Sequence, residues 1–225
     1  MVAGTQIRFA GSAFAIFVLA QVPIAAYMLN GGPGSGKMLL IAICAITVLV
    51  GHLSTPIRAQ IASHRILGPL VWAVLLGLIA YLTMALHEPR TLGSELSLRL
   101  AMGVSVLCLL LDRVSGFLSA MVSEPVALSA TLLLLVVASA GPLWIGPWAQ
   151  ILAAQEHVPD AIIAASPLTY LAVLAEHDYL RSQWFYQNTP FGGMRYTYPD
   201  ALILSTVYIL LGVLFWAGES LKRRR

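Results

Sequence analysis

Apolar and polar residues follow one another along this chain in long blocks rather than at the short periods of a soluble helix or strand. Mostly apolar blocks cover positions 9–29, 38–54, 66–86, 96–111, 126–146 and 201–217, each bounded by polar or turn-forming residues. A hydrocarbon core roughly 30 Å thick takes about 20 helical residues to cross, and a helix satisfies its backbone hydrogen bonds within the segment. The pattern predicts an all-α integral membrane protein, a single transmembrane domain over residues 1–225 with six spans. A long segment at 147–200, holding short helices, precedes the last span.

The separators differ in kind. After the first block comes Asn30-Gly-Gly-Pro-Gly-Ser-Gly-Lys37, a run no helix passes through. Between the second and third lies a short basic segment around Arg58 and Arg65. The fourth block ends by hydropathy at Leu111, where Asp112 and Arg113 enter, yet apolar residues continue to Val122. Charges inside a bilayer are costly, so this helix is expected to leave obliquely or to break there, with the two charges marking its end.

Composition agrees with the block pattern. Hydrophobic residues make up 59% of the chain and charged residues 10%, with a mean hydropathy of +0.83. That leaves no room for a large soluble catalytic domain. The formal charge is +3, but four basic residues sit together at Lys222–Arg225, which reads as a topology signal rather than a nucleic-acid site. Cys44 and Cys108 both lie in apolar runs and read as small buried hydrophobes, not as a disulfide or metal pair.

Six spans place both termini on one side. With that side cytoplasmic, it holds Arg8, Arg58, Arg65, Arg113 and Lys222–Arg225, eight cations, against five at Lys37, Arg90, Arg99, Arg181 and Arg195. Seven of the ten acidic residues fall on the opposite side. Lys and Arg near span ends are retained in the cytoplasm, so the reading is a multi-pass protein of the plasma (bacterial inner) membrane with both ends inside. The first block also has the basic lead of a signal peptide, but its apolar run is longer than a usual signal core. It is expected to be retained as a span.

Several motifs suggest chemistry. Gly31–Met38 fits the first seven positions of a phosphate-binding loop, but Met38 stands where a magnesium-binding Ser or Thr is required, and apolar spans flank it in place of a strand and a soluble helix. It reads as a tight external turn. His52, His64, His87, His157 and His177 are not spaced to face one another across spans as haem ligands would. Glu156 with His157, and Glu176-His177-Asp178, read as solvated loop residues before they read as metal ligands. Ser115 lacks a positioned base, His52 being the one candidate. No catalytic, cofactor-binding or metal site is assigned.

Three segments, in chain order, resemble the type-2 family of ATP-binding-cassette (ABC) transporter permease subunits. Leu53–Gly77, LSTPIRAQIASHRILGPLVWAVLLG, is similar to that family's cytoplasmic connection between spans two and three. Ser115–Gly146 is similar to its turn from span four into span five, with Ser123-Glu124-Pro125 as the polar step. Ala165–Arg181, ASPLTYLAVLAEHDYLR, is similar to the segment before the last span, where Pro-Leu-Thr starts an amphipathic helix ending near an arginine. The entry helix common before the first span and a Glu-rich step before the second cytoplasmic connection are lacking here.

The resemblance implies a permease subunit without ATPase activity of its own, working with an ABC ATPase subunit and a second permease subunit, as homo- or heterodimer. Arg58, Gln60, His64 and Arg65 would contact the ATPase. The aromatics Trp184, Phe185, Tyr186, Tyr196 and Tyr198 stand out in the last extramembrane segment, and amphipathic rings favour the headgroup level. They are candidates for an interfacial or docking surface against membrane lipids or a partner. The sparse polar lining of the spans points to a lipidic or amphipathic cargo. A non-transporting anchor or assembly subunit of a larger complex, and a membrane enzyme using the outer His and acidic residues, His157 and His177 among them, are the rival readings.

Overall fold

The structure is a computed structural model and describes residues 35–54, 67–87, 94–144, 158–181 and 196–222. Among these residues every regular element is helical. In chain order they are α1 (Ser35–Leu53), α2 (Leu67–His87), α3 (Ser94–Ser119), α4 (Glu124–Trp144), α5 (Val158–Ala165), α6 (Pro167–Leu174), a 3-10 turn (Tyr179–Arg181) and α7 (Ala201–Lys222). Five of them, α1, α2, α3, α4 and α7, are long and apolar enough to cross a membrane, which makes this a multi-pass α-helical membrane protein. The block at 9–29 lies outside the described residues, as do 55–66 and 182–195.

α3 is the central helix, packed against α1, α2, α4, α6 and α7. Its buried side includes Leu100, Val104, Leu107 and Leu111, an i, i+3/i+4 stripe, while Leu98 and Met102 face outward. Lipid tails are as apolar as leucine, so such helices associate by close packing rather than by escaping water. The outward faces of α4 and α7 are correspondingly apolar, with Leu133, Val137, Leu210 and Leu214 all exposed on the described bundle.

Of the two outcomes expected at the end of the fourth block, an oblique exit or a break, the break does not occur. α3 continues unbroken through Asp112 and Arg113 to Ser119, well past Leu111. Arg113 is only 8% exposed. It pairs with Asp112 at 3.2 Å and approaches Glu219 of α7 at 4.0 Å. A neighbouring helix thus supplies countercharge where hydropathy along one helix sees only two charges. At the other end of the chain's described part, helix starts at Ser35, three residues before the second block, so Lys37 belongs to the first turn of α1 rather than to the preceding turn.

The segment before α7 does not lie flat against the bundle. α5 and α6 form a bent pair whose apex, Ala165-Ser166, sits between spans: Ser166 Oγ donates to the Ser139 carbonyl of α4 (3.4 Å), and Tyr208 Oη of α7 donates to the Ala165 carbonyl (3.4 Å). Ser166 caps α6 by accepting from the Thr169 amide, and Pro167 occupies the first turn, where its missing N–H leaves no bond unmade. Thr169, Tyr170, Leu171, Ala172 and Val173 are all buried, so α6 is a buried plug rather than the amphipathic helix the resemblance implied. Gly103 of α3 makes room for it. A Cβ there would overlap Leu174.

Candidate functional site

Following the helices up and down puts the starts of α1, α3 and α7 and the ends of α2 and α4 at one end of the bundle, with the α5–α6 pair. At this end α6 closes with an unusual residue. The Glu176 amide donates to the Val173 carbonyl (3.0 Å) and the His177 amide to the Ala172 carbonyl (2.9 Å). This doubled pattern requires a left-handed residue between, normally glycine. Glu176 fills it with φ of 51°, a conformation that costs an L-residue about 1 kcal/mol.

Glu176 ties three elements together from that position. Its carbonyl accepts from Lys37 Nζ of α1 at 3.1 Å. Its carboxylate pairs with Arg99 of α3, which also holds Glu95 one turn earlier at 2.6 Å. The Arg99–Glu95 pair has the i, i+4 spacing of helix neighbours, though it was not singled out from the sequence. The Glu176 bridge has no such local spacing, because it depends on where the α5–α6 pair enters the bundle.

Asp178 organises the next turn. Its Oδ1 accepts from the Leu180 amide at 3.1 Å, its Oδ2 faces Arg181 Nε at 3.2 Å, and Tyr196 Oη donates to the carboxylate at 3.3 Å. The Arg181 guanidinium stands 6.0 Å above the Tyr196 ring, within cation–π reach. Tyr198 Oη donates to the His177 carbonyl at 3.2 Å. Two of the aromatics marked for docking, Tyr196 and Tyr198, are therefore brought together on the 176–181 turn and half-buried there. Trp184, Phe185 and Tyr186 lie outside the described residues, as do Arg58, Gln60, His64 and Arg65.

This environment shifts the local acid–base groups. Burial, then the nearby Lys37 ammonium, holds His177 below the ordinary imidazole range, against an opposing pull from Asp178. Burial pushes Tyr198 well up, and burial with the Asp178 carboxylate pushes Tyr196 up. Glu176 pairs with Arg99 and Asp178 with Arg181 and Tyr196, and among the described residues no three acidic, His or Cys side chains are grouped as a metal site.

At the opposite end, Asp112, Arg113 and Glu219 form a charged cluster between α3 and α7. Gly116 lets α7 approach: a Cβ there would meet Glu219 Oε2 at 2.7 Å. Beside it Phe117 and Phe215 pack with ring centroids 5.6 Å apart. Asp112 also lines a small void with His52 and Trp72, whose buried indole N–H makes no hydrogen bond. Glu219 carried no sequence signal beyond its place three residues before the basic tail.

Below this cluster, α3 and α7 diverge to leave an apolar groove of about 260 Å³, closed on one side by Leu70 of α2 and reached by Arg113 at its end. The bundle thus offers a tied, strained polar cap at one end, and a charged cluster over an apolar groove at the other. Compared with protein-family models, curated proteins and solved structures, the chain gives no match.

Proposed function

We propose that the chain is the membrane-spanning permease subunit of an ABC-type exporter, moving a lipidic or amphipathic substrate with ATP hydrolysed by a separate subunit. The reading is carried by three family-like segments that fall, in order, on the α1–α2 connection, the α3–α4 turn and the α5–α6 pair ahead of the last span. The local structure of the third segment supports it. Ser166 caps a helix that starts at Pro167 and ends at Leu174, and a separate 3-10 turn carries Arg181.

In this reading the protein sits in the plasma (bacterial inner) membrane with six spans and both termini cytoplasmic. The α1–α2 connection then lies on the same side as the basic tail, and Arg58, Gln60, His64 and Arg65 face the ATPase. A second permease subunit completes the transporter. ATPase closure pushes the connection, and two subunits rock against each other, a motion that requires an interface with two stable packings.

Co-purification from gently solubilised native membranes is the test. An ATPase is expected in fixed ratio with this chain and is expected to be lost when Arg58 and Arg65 are both replaced by Glu. Recovery of the chain without any ATPase refutes the proposal and leaves the anchor-subunit reading standing.

A further inference from the structure

We infer that the groove between α3 and α7 binds one chain of a phospholipid with a primary-amine zwitterionic headgroup, its phosphate on Arg113 and its ammonium on Glu219. The groove runs from Arg113 and Trp216 to Val106 and Tyr208. Seven residues of α3 separate its ends, about 10 Å at the helical rise. One leaflet of the hydrocarbon core is about 15 Å deep, so the groove accommodates most of the length of an acyl chain within a single leaflet. Its walls are apolar, and Leu70, Ile209 and Val213 are about half exposed. These residues belong to helices long and apolar enough to cross a membrane, so in this proposal an acyl chain lies against them.

The charged end selects the headgroup. Arg113 lines the groove with the Asp112 carboxylate 3.2 Å and the Glu219 carboxylate 4.0 Å from its guanidinium, contacts that take up only part of its five N–H donors. A guanidinium is suited to a phosphate. Two flanking carboxylates oppose a headgroup of net negative charge and favour one that brings its own cation. A primary ammonium donates hydrogen bonds to carboxylate oxygens, each of which accepts more than one. A quaternary ammonium has no N–H to donate. The arrangement of one cation between two acids therefore matches an ethanolamine phospholipid better than a glycerol or choline one.

The site is independent of ATP coupling, because a lipid held here is either cargo or a structural component. Failure to recover an ATPase leaves it untouched.

Trp216 lines the groove and reports on it directly. Purified protein is reconstituted in phosphatidylcholine vesicles carrying increasing fractions of brominated-chain phosphatidylethanolamine, phosphatidylcholine or phosphatidylglycerol. The emission of Trp216 is taken as the difference between the wild-type chain and Trp216→Phe. Quenching is expected at a roughly tenfold lower fraction of the ethanolamine lipid, the ratio that one added charge-assisted hydrogen bond supplies. Arg113→Gln is expected to abolish the preference while quenching persists. Gly212→Leu, which fills the groove and leaves Arg113 in place, is expected to abolish the ethanolamine preference and leave the equal quenching that bulk lipid gives the 40% exposed Trp216. In the wild-type chain, equal quenching by the ethanolamine and choline lipids, preference for the glycerol lipid, or no quenching by any of them overturns the inference.

Discussion

Glu176 makes the sharpest prediction, because its backbone strain and its side-chain contacts separate under substitution. Glu176→Ala and Glu176→Gly both delete the carboxylate that pairs with Arg99, and both keep the carbonyl that accepts from Lys37. They differ in what a Cβ costs at φ of 51°. Left-handed backbone costs an L-residue about 1 to 2 kcal/mol. Against this, glycine's freedom in the unfolded chain lowers stability by roughly 0.4 to 1 kcal/mol. The Gly variant is therefore expected to be the more stable by about 1 kcal/mol. Thermal unfolding in a mild detergent, followed by circular dichroism at fixed pH and salt, compares the two. The Gly variant should melt above the Ala variant at every salt concentration, because backbone strain is not screened. An Ala variant equal to or above the Gly variant refutes the claim that the turn stores strain. The wild-type chain carries this strain where its cap ties α1, α3 and α6 together, and strain held at such a junction is the usual mark of a constrained functional site.

Helix contacts and protonation yield two further outcomes. Gly77→Ala places a Cβ 2.8 Å from the Ala101 carbonyl and against Ser105 Oγ, whereas Gly212→Ala meets only the Leu110 Cα at 4.0 Å. The first should cost about 1 to 3 kcal/mol, and the second should be neutral or stabilising. Equal melting temperatures for the two variants refute the close α2–α3 packing. His177 is held below its ordinary value by burial and by Lys37, so the unfolded chain binds a proton more readily than the folded one. Its contribution to stability is full above about pH 6.5 and declines as pH falls from there toward the folded-state value. His177→Gln should flatten the melting temperature between pH 7 and 5, and Lys37→Met should make its fall shallower. An unchanged profile in both variants counts against the placement of His177 beside Lys37.

Much of the architecture was legible because a bilayer imposes it on one helix at a time. Span length and the need to satisfy every backbone amide within the segment are local constraints, so five of the expected blocks reappear as α1, α2, α3, α4 and α7. One helix start was legible for the same reason. The Pro-Leu-Thr helix start at Pro167 acts within one turn of chain, whereas the cap at Asp200, whose Oδ1 accepts from the Leu202 and Ile203 amides, was not read from the sequence.

What required the tertiary structure was every feature whose partner lies on another helix. Hydropathy ended the fourth span at Asp112 because a lone charge is costly in lipid. Glu219, more than a hundred residues away, adds a countercharge 4.0 Å from Arg113, and α3 runs on to Ser119. The Tyr196 and Tyr198 rings looked suited to a lipid interface, yet their hydroxyls reach Asp178 and the His177 carbonyl. Nothing in the spacing of Lys37, Arg99 and Glu176 brings them together until the α5–α6 pair folds between the spans. Composition and periodicity determined which segments enter the membrane, because each segment meets the bilayer on its own. Which polar groups meet inside or at its edges was decided by packing, because that depends on all the helices at once.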